Sequence, residues 1–423
     1  MPNDKDQNLS PDEGPEEEKY SFLQETIKPK PLSRRQLARQ CVRIAIYGVI
    51  LGAFACLGFF ALRPWVQDVF RGNLETVSIP EDTEPEEPQE AAEEEEAEPV
   101  LDAESYEEIM ASVNERVQEA KRGTAYIQPA AGADDWNARM TGIDAGSTGV
   151  IIADNGRELL ILADSSVSEG AQEWKVTFQD SSIYTASLKR RDLNSGLAVF
   201  SVPRADITDS TWSSIKVSVL GNSNAVRQGG IVLALGDMYG YADGASRGTV
   251  SSVEYKETFF DRECDVIATD IPVSEGGTGV LFNLDGEVIG MISPSVWDEE
   301  GSTTAKAYAI SDLKTVIEIL ANDESVPYIG IYGAAVTSDL QEQGMPEGVY
   351  VVDVDPESPA MEAGIQSGDI ICEAAREEVS GIGAFQSTIL KTKTGDMIRL
   401  RGQRRGADGY VDVDFTVTVG SKE

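Results

Sequence analysis

The sequence predicts a mainly β fold in two blocks, preceded by one transmembrane helix and an acidic linker. The helix is predicted by an apolar run, residues 44–62, that contains no charged side chain. The β fold is predicted by short apolar and β-branched runs, separated by Gly, Asp and Asn, that follow residue 122. A second block of such runs extends from Tyr328 to Val419. Strands at these intervals favour an all-β barrel or sandwich over alternating helices and strands.

The apolar run is long enough for one bilayer crossing. As a helix, residues 44–62 would extend about 28 Å, close to the thickness of the hydrocarbon layer. A cleaved signal peptide and a buried core helix are the alternatives, but the run follows a long polar segment and a dense basic flank. These basic residues are Lys28, Lys30, Arg34, Arg35, Arg39 and Arg43. The positive-inside rule therefore predicts a cytoplasmic tail at residues 1–43 and a single-pass cell-membrane protein whose later domains lie outside the cytoplasm.

Residues 63–102 form the predicted linker. Its Pro/Glu-rich part, residues 72–101, repels itself and has too few apolar side chains for a core. We expect an extended, disordered tether, with binding of cations or of a basic partner as the alternative.

The predicted folded region begins with a helix. In the segment Ala103–Arg122, Tyr106, Ile109, Val113 and Val117 recur at spacings of three and four. A second helix is predicted at residues 310–321, before the second β-rich block. The predicted domains are therefore 103–322 and 326–420.

Composition excludes several functions. The net charge is −38, with 35 basic against 73 acidic residues, which argues against nucleic-acid binding. The chain contains no histidine, so it has no Ser-His-Asp triad, Cys-His dyad or His-ligated metal site. The four cysteines match no zinc pattern, and we expect isolated thiols, no metal site and no cofactor. They are Cys41, Cys56, Cys264 and Cys372.

A series of short motifs, in order, resembles the HtrA (DegP-like) family of trypsin-fold serine proteases with a C-terminal PDZ domain. The motifs are GSTGVII at 146–152, LGNS at 220–223, RQGG at 227–230, VLALG at 232–236, GTVS at 248–251, TD at 269–270, NLDGEVIG at 283–290 and YAIS at 308–311. The resemblance implies a trypsin-like double β-barrel at 103–322 and a PDZ domain at 326–420.

The catalytic residues of the family are absent from the matching positions. The histidine position falls on Ser166 and the aspartate position on Gly196. The serine position falls on Thr278 when counted from Asp270, and on Gly277 when counted from the motif that follows it. The difference of one residue implies that this loop has changed shape.

Each of these replacements removes a step of the chemistry. Without an imidazole, a hydroxyl keeps its proton near neutral pH and is a poor nucleophile. A lysine could serve as the base for Thr278, but Lys256 and Lys306 carry no signal that they point there. Asp164 and Asp192 could lie near the former site, and each is equally explained as a turn residue. We expect a retained barrel with a degenerate triad.

The second block resembles the PDZ domains of the same family, most specifically in SPAMEAGIQSGDII at 358–371. The family's carboxylate-binding loop falls on Tyr328, Ile329, Gly330 and Ile331. The resemblance implies that a peptide adds as a strand and that the N–H groups of this loop take its C-terminal carboxylate. The alternative is a PDZ domain that only packs against the barrel, with its groove filled by its own chain.

The sequence therefore predicts a membrane-anchored, extracytoplasmic pseudoprotease that binds peptides or protein C-termini through its PDZ domain without hydrolysis. The expected partners are peptides and unfolded or extracytoplasmic proteins. The alternatives are an active serine-type endopeptidase of envelope quality control and a structural envelope scaffold. HtrA relatives commonly assemble as trimers, so the resemblance also implies a homotrimer.

Overall fold

The fold was described from a computed structural model. It describes residues 76–82, 102–130, 146–274, 276–294 and 303–423. All described residues belong to one compact unit, residues 74–423. The predicted cytoplasmic tail and the predicted span at 44–62 lie outside the described residues. Within the described ranges, no helix is both long and apolar enough to cross a membrane.

Helix α1 opens the main part of the folded unit, at Ala103–Lys121, as the sequence predicts. It begins at Asp102, whose side chain accepts a hydrogen bond from the N–H of Ser105 and caps the free N–H groups of the first turn. Its C-terminal end leads directly into the first barrel.

The first barrel is closed by six antiparallel strands in the order β1-β2-β3-β6-β5-β4. The strands are β1 (Thr124–Pro129), β2 (Ser147–Asp154), β3 (Glu158–Asp164), β4 (Trp174–Thr177), β5 (Ile183–Asp192) and β6 (Leu197–Pro203). Strands β2, β3 and β6 are buried over most of their length, which explains their continuous apolar runs. Inside the barrel, Trp174 packs edge-on against Phe200 at a ring distance of 5.2 Å. Helix α2 (Asp209–Ser214) follows β6.

The second barrel is also closed by six strands, in the order β10-β11-β12-β9-β8-β7. The strands are β7 (Ile231–Leu235), β8 (Ala245–Phe259), β9 (Arg262–Pro272), β10 (Gly279–Phe282), β11 (Val288–Ile292) and β12 (Thr304–Ala309). Strands β8 and β9 form a long hairpin of 15 and 11 residues. The tip of this hairpin, Phe260–Asp261, lies against the C-terminal domain.

Helix α3, Ile310–Ala321, closes the interface between the barrels and matches the predicted helix. Its apolar face, which includes Leu313, Ile317 and Leu320, belongs to one core cluster with side chains of both barrels. Burial of this face explains the helical period of the apolar residues in the sequence.

The C-terminal domain is a sheet in the order β13-β14-β15-β17-β18, with the short β16 paired to β15. Its strands are β13 (Ile331–Ala335), β14 (Val349–Val354), β15 (Asp369–Ala374), β16 (Glu377–Glu378), β17 (Met397–Gly406) and β18 (Gly409–Thr418). Its helices are α4 (Ser338–Glu342), α5 (Pro359–Glu362) and α6 (Ile382–Leu390). Strand β13 is an outer strand of this sheet, and Phe385 of α6 is fully buried in its core.

One part of the predicted tether is docked on the folded unit. Residues 76–82, which we call the strap, lie along α3, and Val77 and Ile79 pack against the core that the barrels share. Lys314, only 9% exposed, pairs with Asp82 at 2.5 Å. The expectation of a solvated linker is therefore wrong for the strap, because this piece carries two apolar side chains. The rest of the Pro/Glu-rich stretch lies outside the described residues.

The mainly β fold is thus confirmed as two closed six-stranded barrels followed by a separate sheet domain. Two of the four cysteines, Cys264 and Cys372, lie in the part of the chain that the structure describes, and both are free thiols, as expected.

The barrel core should carry much of the stability. We expect Phe200→Ala to lower the free energy of unfolding by about 3–5 kcal/mol, because it leaves a cavity beside Trp174. Urea unfolding measures this change. Tyr241→Ala, at a side chain that is 67% exposed, is the control and should change the value by less than about 0.5 kcal/mol. Equal effects of the two substitutions would contradict the description of this core.

Candidate functional site

Ser166, at the predicted histidine position, lies in a short 3-10 turn after β3 (Ser165–Ser168). Its N–H and its hydroxyl both donate to Asp164 Oδ1, the N–H at 2.9 Å. The other oxygen of this carboxylate accepts a hydrogen bond from Ser293, which follows β11 in the second barrel. Asp164 is therefore a turn cap that also joins the two barrels, and Ser166 is part of that cap.

Gly196, at the predicted aspartate position, ends a turn that begins at Asp192. It has a φ of +69°, a conformation that glycine adopts without strain. Its carbonyl accepts the N–H of Ser165 at 2.8 Å, so the structure brings the first two predicted positions into neighbouring turns. The carboxylate of Asp192 accepts hydrogen bonds from the N–H groups of Asn194 and Ser195 and holds this turn together.

Thr278, at the predicted serine position, is 4% exposed and immediately precedes β10. Its hydroxyl oxygen accepts the N–H of Thr148, in β2 of the first barrel, at 3.1 Å. The hydroxyl of Thr148 in turn accepts the N–H of Asp237 at 3.0 Å. Thr278 and Ser166 therefore bond to different residues. Thr278 joins the two barrels directly, and Ser166 bonds to Asp164, which joins them through Ser293.

The backbone N–H groups at the predicted nucleophile positions also make hydrogen bonds within the protein. The N–H of Gly277 donates to Ser274 at 3.0 Å, and the N–H of Thr278 donates to Asp237 at 3.2 Å. An oxyanion hole requires N–H groups that point to the position of the developing charge. At both alternative nucleophile positions, the N–H group donates to a carbonyl of the protein.

Lys256 is paired elsewhere. It lies 3.0 Å from Glu263 and 3.3 Å from Asp265, along the β8–β9 hairpin. The hydrogen bond that Lys256 donates to Glu263, and then the negative charge of Asp265, raise the pKa of Lys256 above its ordinary value, which is the opposite of what a lysine base needs.

The predicted carboxylate-binding loop does hold a carboxylate, and that carboxylate belongs to the chain itself. Asp261, at the tip of the β8–β9 hairpin, accepts the N–H groups of Ile329 at 2.7 Å, Gly330 at 2.9 Å and Ile331 at 2.8 Å. Successive N–H groups that converge in this way form an anion-binding nest. The fourth predicted residue, Tyr328, donates its hydroxyl to Asp355 and its N–H to Gly420.

Asp261 is 2% exposed. Burial raises the pKa of its carboxyl above the ordinary value, while the hydrogen bonds from the three N–H groups oppose that rise. The nest therefore compensates part of the cost of burying this carboxyl.

Aromatic and cationic side chains surround the tip. The ring of Phe260 lies 6.3 Å from that of Tyr328 and 6.0 Å from that of Tyr332, edge to face in both cases. The ammonium group of Lys422 lies 4.6 Å from the centre of the Phe260 ring and 2.5 Å from Asp355. The contact between the hairpin and the C-terminal domain is thus extensive around Asp261.

The residue after Asp261 connects the tip to the first barrel. Arg262 lies 3.1 Å from Asp192, and both side chains are almost fully buried, at 4% and 1% exposed. Neither terminal guanidinium nitrogen makes a well-aligned hydrogen bond to a described residue, so charge holds this pair together. The turn that carries Gly196 and the nest of the C-terminal domain are therefore linked through two consecutive hairpin residues.

The sequence indicated the loop at residues 328–331, but it did not indicate that Asp261 binds there. The string FFDRE at 259–263 indicates a turn between strands, but nothing in it predicts that Asp261 reaches residues of another domain. The contact joins positions 68 to 70 apart in the chain. The signal that could have found it is a lone acid at the tip of an unusually long hairpin.

Thr278 should act as a structural acceptor. We expect Thr278→Val to lower the free energy of unfolding by about 1–3 kcal/mol, because the N–H of Thr148 then loses its partner in a buried place. Thr278→Ser keeps the oxygen and should retain most of the stability. Urea unfolding of both variants measures the difference. A valine variant as stable as the serine variant would show that this hydrogen bond contributes nothing.

Comparison with known proteins agrees with this architecture. Residues 147–291 match the model of the trypsin-like peptidase domain, and residues 327–415 match that of the PDZ domain. The chain is 30% identical over 281 residues to "Probable periplasmic serine endoprotease DegP-like" of Halomonas elongata, covering 64% of this chain and 56% of that one. It is 27% identical to "Serine protease Do-like HtrA" of Bacillus subtilis, covering 62% and 61%. It therefore spans less than two thirds of the length of these curated relatives.

The fold resembles that of a solved structure, "HtrA-type protease AlgW with tripeptide", with a TM-score of 0.52 and 22% identity over 74% of this chain and 97% of that one. Two closed barrels, a following sheet domain and the matches to both domain models together support an HtrA-like architecture, a trypsin-like peptidase domain followed by a PDZ domain.

Proposed function

We propose that the protein is a membrane-anchored, extracytoplasmic HtrA-like pseudoprotease that binds protein C-termini through its PDZ domain without cutting them. One observation carries the proposal: the chain contains no histidine, and a serine hydroxyl bonded to Asp164 stands at the predicted imidazole position, Ser166. Serine is not a base near neutral pH, so a nucleophile in this cleft would lack the imidazole base that the family's chemistry uses.

The surroundings of the other former catalytic positions support the same proposal. The hydroxyl oxygen of Thr278 accepts a hydrogen bond from Thr148, and Gly196 has no carboxylate to orient a base. The N–H groups of Gly277 and Thr278 are bonded to carbonyl groups of the protein. In the described part of this site, the Thr278 hydroxyl and both N–H groups are therefore bonded to other groups of the protein, which favours a site without hydrolysis.

The binding half of the proposal is supported by the nest at Ile329–Ile331. Its three N–H groups already hold a carboxylate with short hydrogen bonds, which is the chemistry that C-terminal capture needs. Strand β13, which begins at Ile331, is an outer strand of the sheet, so a peptide strand could add to its edge once the hairpin tip leaves Ile331.

The proposed location depends on the uncharged run at 44–62 and the basic residues before it. The relatives named periplasmic agree with domains outside the cytoplasm. A homotrimer is proposed by analogy with HtrA proteins alone.

An active serine endopeptidase is the second candidate, because the relatives carry that name. In that case Thr278 would be the nucleophile. A scaffold whose PDZ domain only packs against the barrels is the third candidate, and the occupied nest favours it.

A hydrolysis assay decides between the first two candidates. We expect no labelling by a fluorophosphonate probe and no digestion of casein, because the chain has no histidine to activate Thr278 and the hydroxyl oxygen of Thr278 is bonded to the N–H of Thr148. Wild type and Thr278→Ala should give the same background, with trypsin as the positive control. Labelling or digestion that disappears in Thr278→Ala would establish the endopeptidase and exclude the pseudoprotease.

Peptide titration tests the PDZ domain. A fluorescent peptide with a free C-terminus should bind more tightly than its amidated form, and Gly330→Ala should weaken the free form at least about tenfold. Gly330 has a φ of +94°, and an added Cβ would lie 2.3 Å from that of Ser358. Gly344→Ala is the matched control, because Gly344 has a φ of +91° but open space around it. Fluorescence anisotropy measures the affinities.

Equal affinity for the free and amidated peptides would count against carboxylate capture. Equal loss of affinity in both glycine variants would show that backbone strain, and not the nest, determines binding.

A further inference from the structure

We propose that Asp261 is a built-in ligand of the PDZ carboxylate-binding loop, so that a protein C-terminus binds only by displacing the tip of the β8–β9 hairpin. This inference rests on the proposed function of the PDZ domain. It adds that the site is occupied at rest and that its occupancy is linked to the first barrel.

The hydrogen bonds of Asp261 imitate those of a terminal residue. Its carboxylate accepts three N–H groups of the loop, and its own N–H donates to the carbonyl of Ile331 at 2.6 Å. A peptide that adds to β13 and ends at the nest would use the same two features of its last residue, an N–H and a carboxylate. Asp261 supplies the carboxylate from its side chain, which allows the chain to continue into β9.

The hairpin also spans both walls of the cleft in which a peptide would lie. Asp261 bonds to Ile331, the first residue of β13, and the N–H of Glu263 donates to Gln386 Oε1 of α6 at 3.2 Å. The strand and the helix are therefore bridged at the carboxylate end of the cleft. A peptide terminus and the hairpin tip cannot occupy that end together.

The tip is held from the first barrel as well. Asn194 donates its side-chain amide to the carbonyl of Phe260 at 2.8 Å and accepts the N–H of Phe260 at 3.2 Å. Arg262 forms the buried pair with Asp192. Because Asn194 and Asp192 belong to the turn that ends at Gly196, departure of the tip would remove the partners of that turn. The occupied nest and the former aspartate position are thus one connected element.

An internal ligand lowers the apparent affinity for an external one by the fraction of molecules in which the site is free. A tethered ligand has an effective concentration of about 1 mM, so a tip with an intrinsic Kd of about 10–100 μM would occupy the nest in about 90–99% of molecules. On this basis we expect removal of the Asp261 charge to increase peptide affinity about 10- to 100-fold.

The test compares Asp261→Asn with wild type in the full chain, using a fluorescent hexapeptide with a free or an amidated C-terminus. The variant keeps the shape of the side chain and removes its charge. Glu254→Gln is the matched control, because it removes an exposed carboxylate from β8 of the same hairpin away from the tip. We expect tighter binding of the free peptide by Asp261→Asn alone, and little change for the amidated peptide.

The outcomes separate the two proposals. Equal binding of the free peptide by wild type and Asp261→Asn would overturn the built-in ligand and leave the proposed peptide binding intact. No carboxylate-dependent binding by either protein would overturn both.

Hydrogen–deuterium exchange of wild type provides a second measurement that does not require the variant to fold. With saturating free peptide, exchange should increase at residues 260–262 and decrease at 329–331. Protection of the loop without release of the tip would refute displacement.

Discussion

The described part of the protein depends on one buried contact, the tip of the β8–β9 hairpin. Phe260, Asp261 and Arg262 are consecutive, and they bond to the first barrel, the PDZ nest and a buried aspartate respectively. Buried charges are tolerated only when partners compensate for the loss of water. Asp261 finds that compensation in the PDZ domain and Arg262 finds it in the first barrel. Removal of either partner would leave a buried charge exposed to an apolar surrounding, so the tip fixes how barrels and PDZ domain are arranged.

Two of the predicted catalytic positions take part in hydrogen bonds that join the two barrels. Ser166 now belongs to a cap that joins the barrels through Asp164, and Thr278 accepts a hydrogen bond across the same interface. A hydroxyl that stabilises an interface is held in one direction, whereas a nucleophile must be free to meet a substrate. In this chain the side chains at the predicted histidine and serine positions belong to hydrogen-bonded groups that connect the two barrels.

The sequence was informative where the signal is local. The period of apolar residues predicted α1 and α3 within one residue of their bounds. Short motifs in order predicted the trypsin-like and PDZ domains that the domain models match, while the peptide-binding role of residues 328–331 remains a prediction. The predicted span at 44–62 and its orientation remain predictions. Asp261 was missed because its partners are distant in the chain and one acidic residue in a turn has no distinguishing pattern. The docked strap was missed because two apolar residues, Val77 and Ile79, are too few to stand out beside an acidic stretch.

The strap also determines which element of the fold would bear tension applied to the chain before Thr76. Val77 exchanges hydrogen bonds between its backbone and the side chain of Asn322, and Asp82 pairs with Lys314 four residues into α3. While these bonds hold, tension on the chain before Thr76 ends on α3, and the helix α1 that follows the linker bears none of it. If the tension broke these bonds, it would act on α1 and the first barrel, so the strap would be the first described element to detach under load.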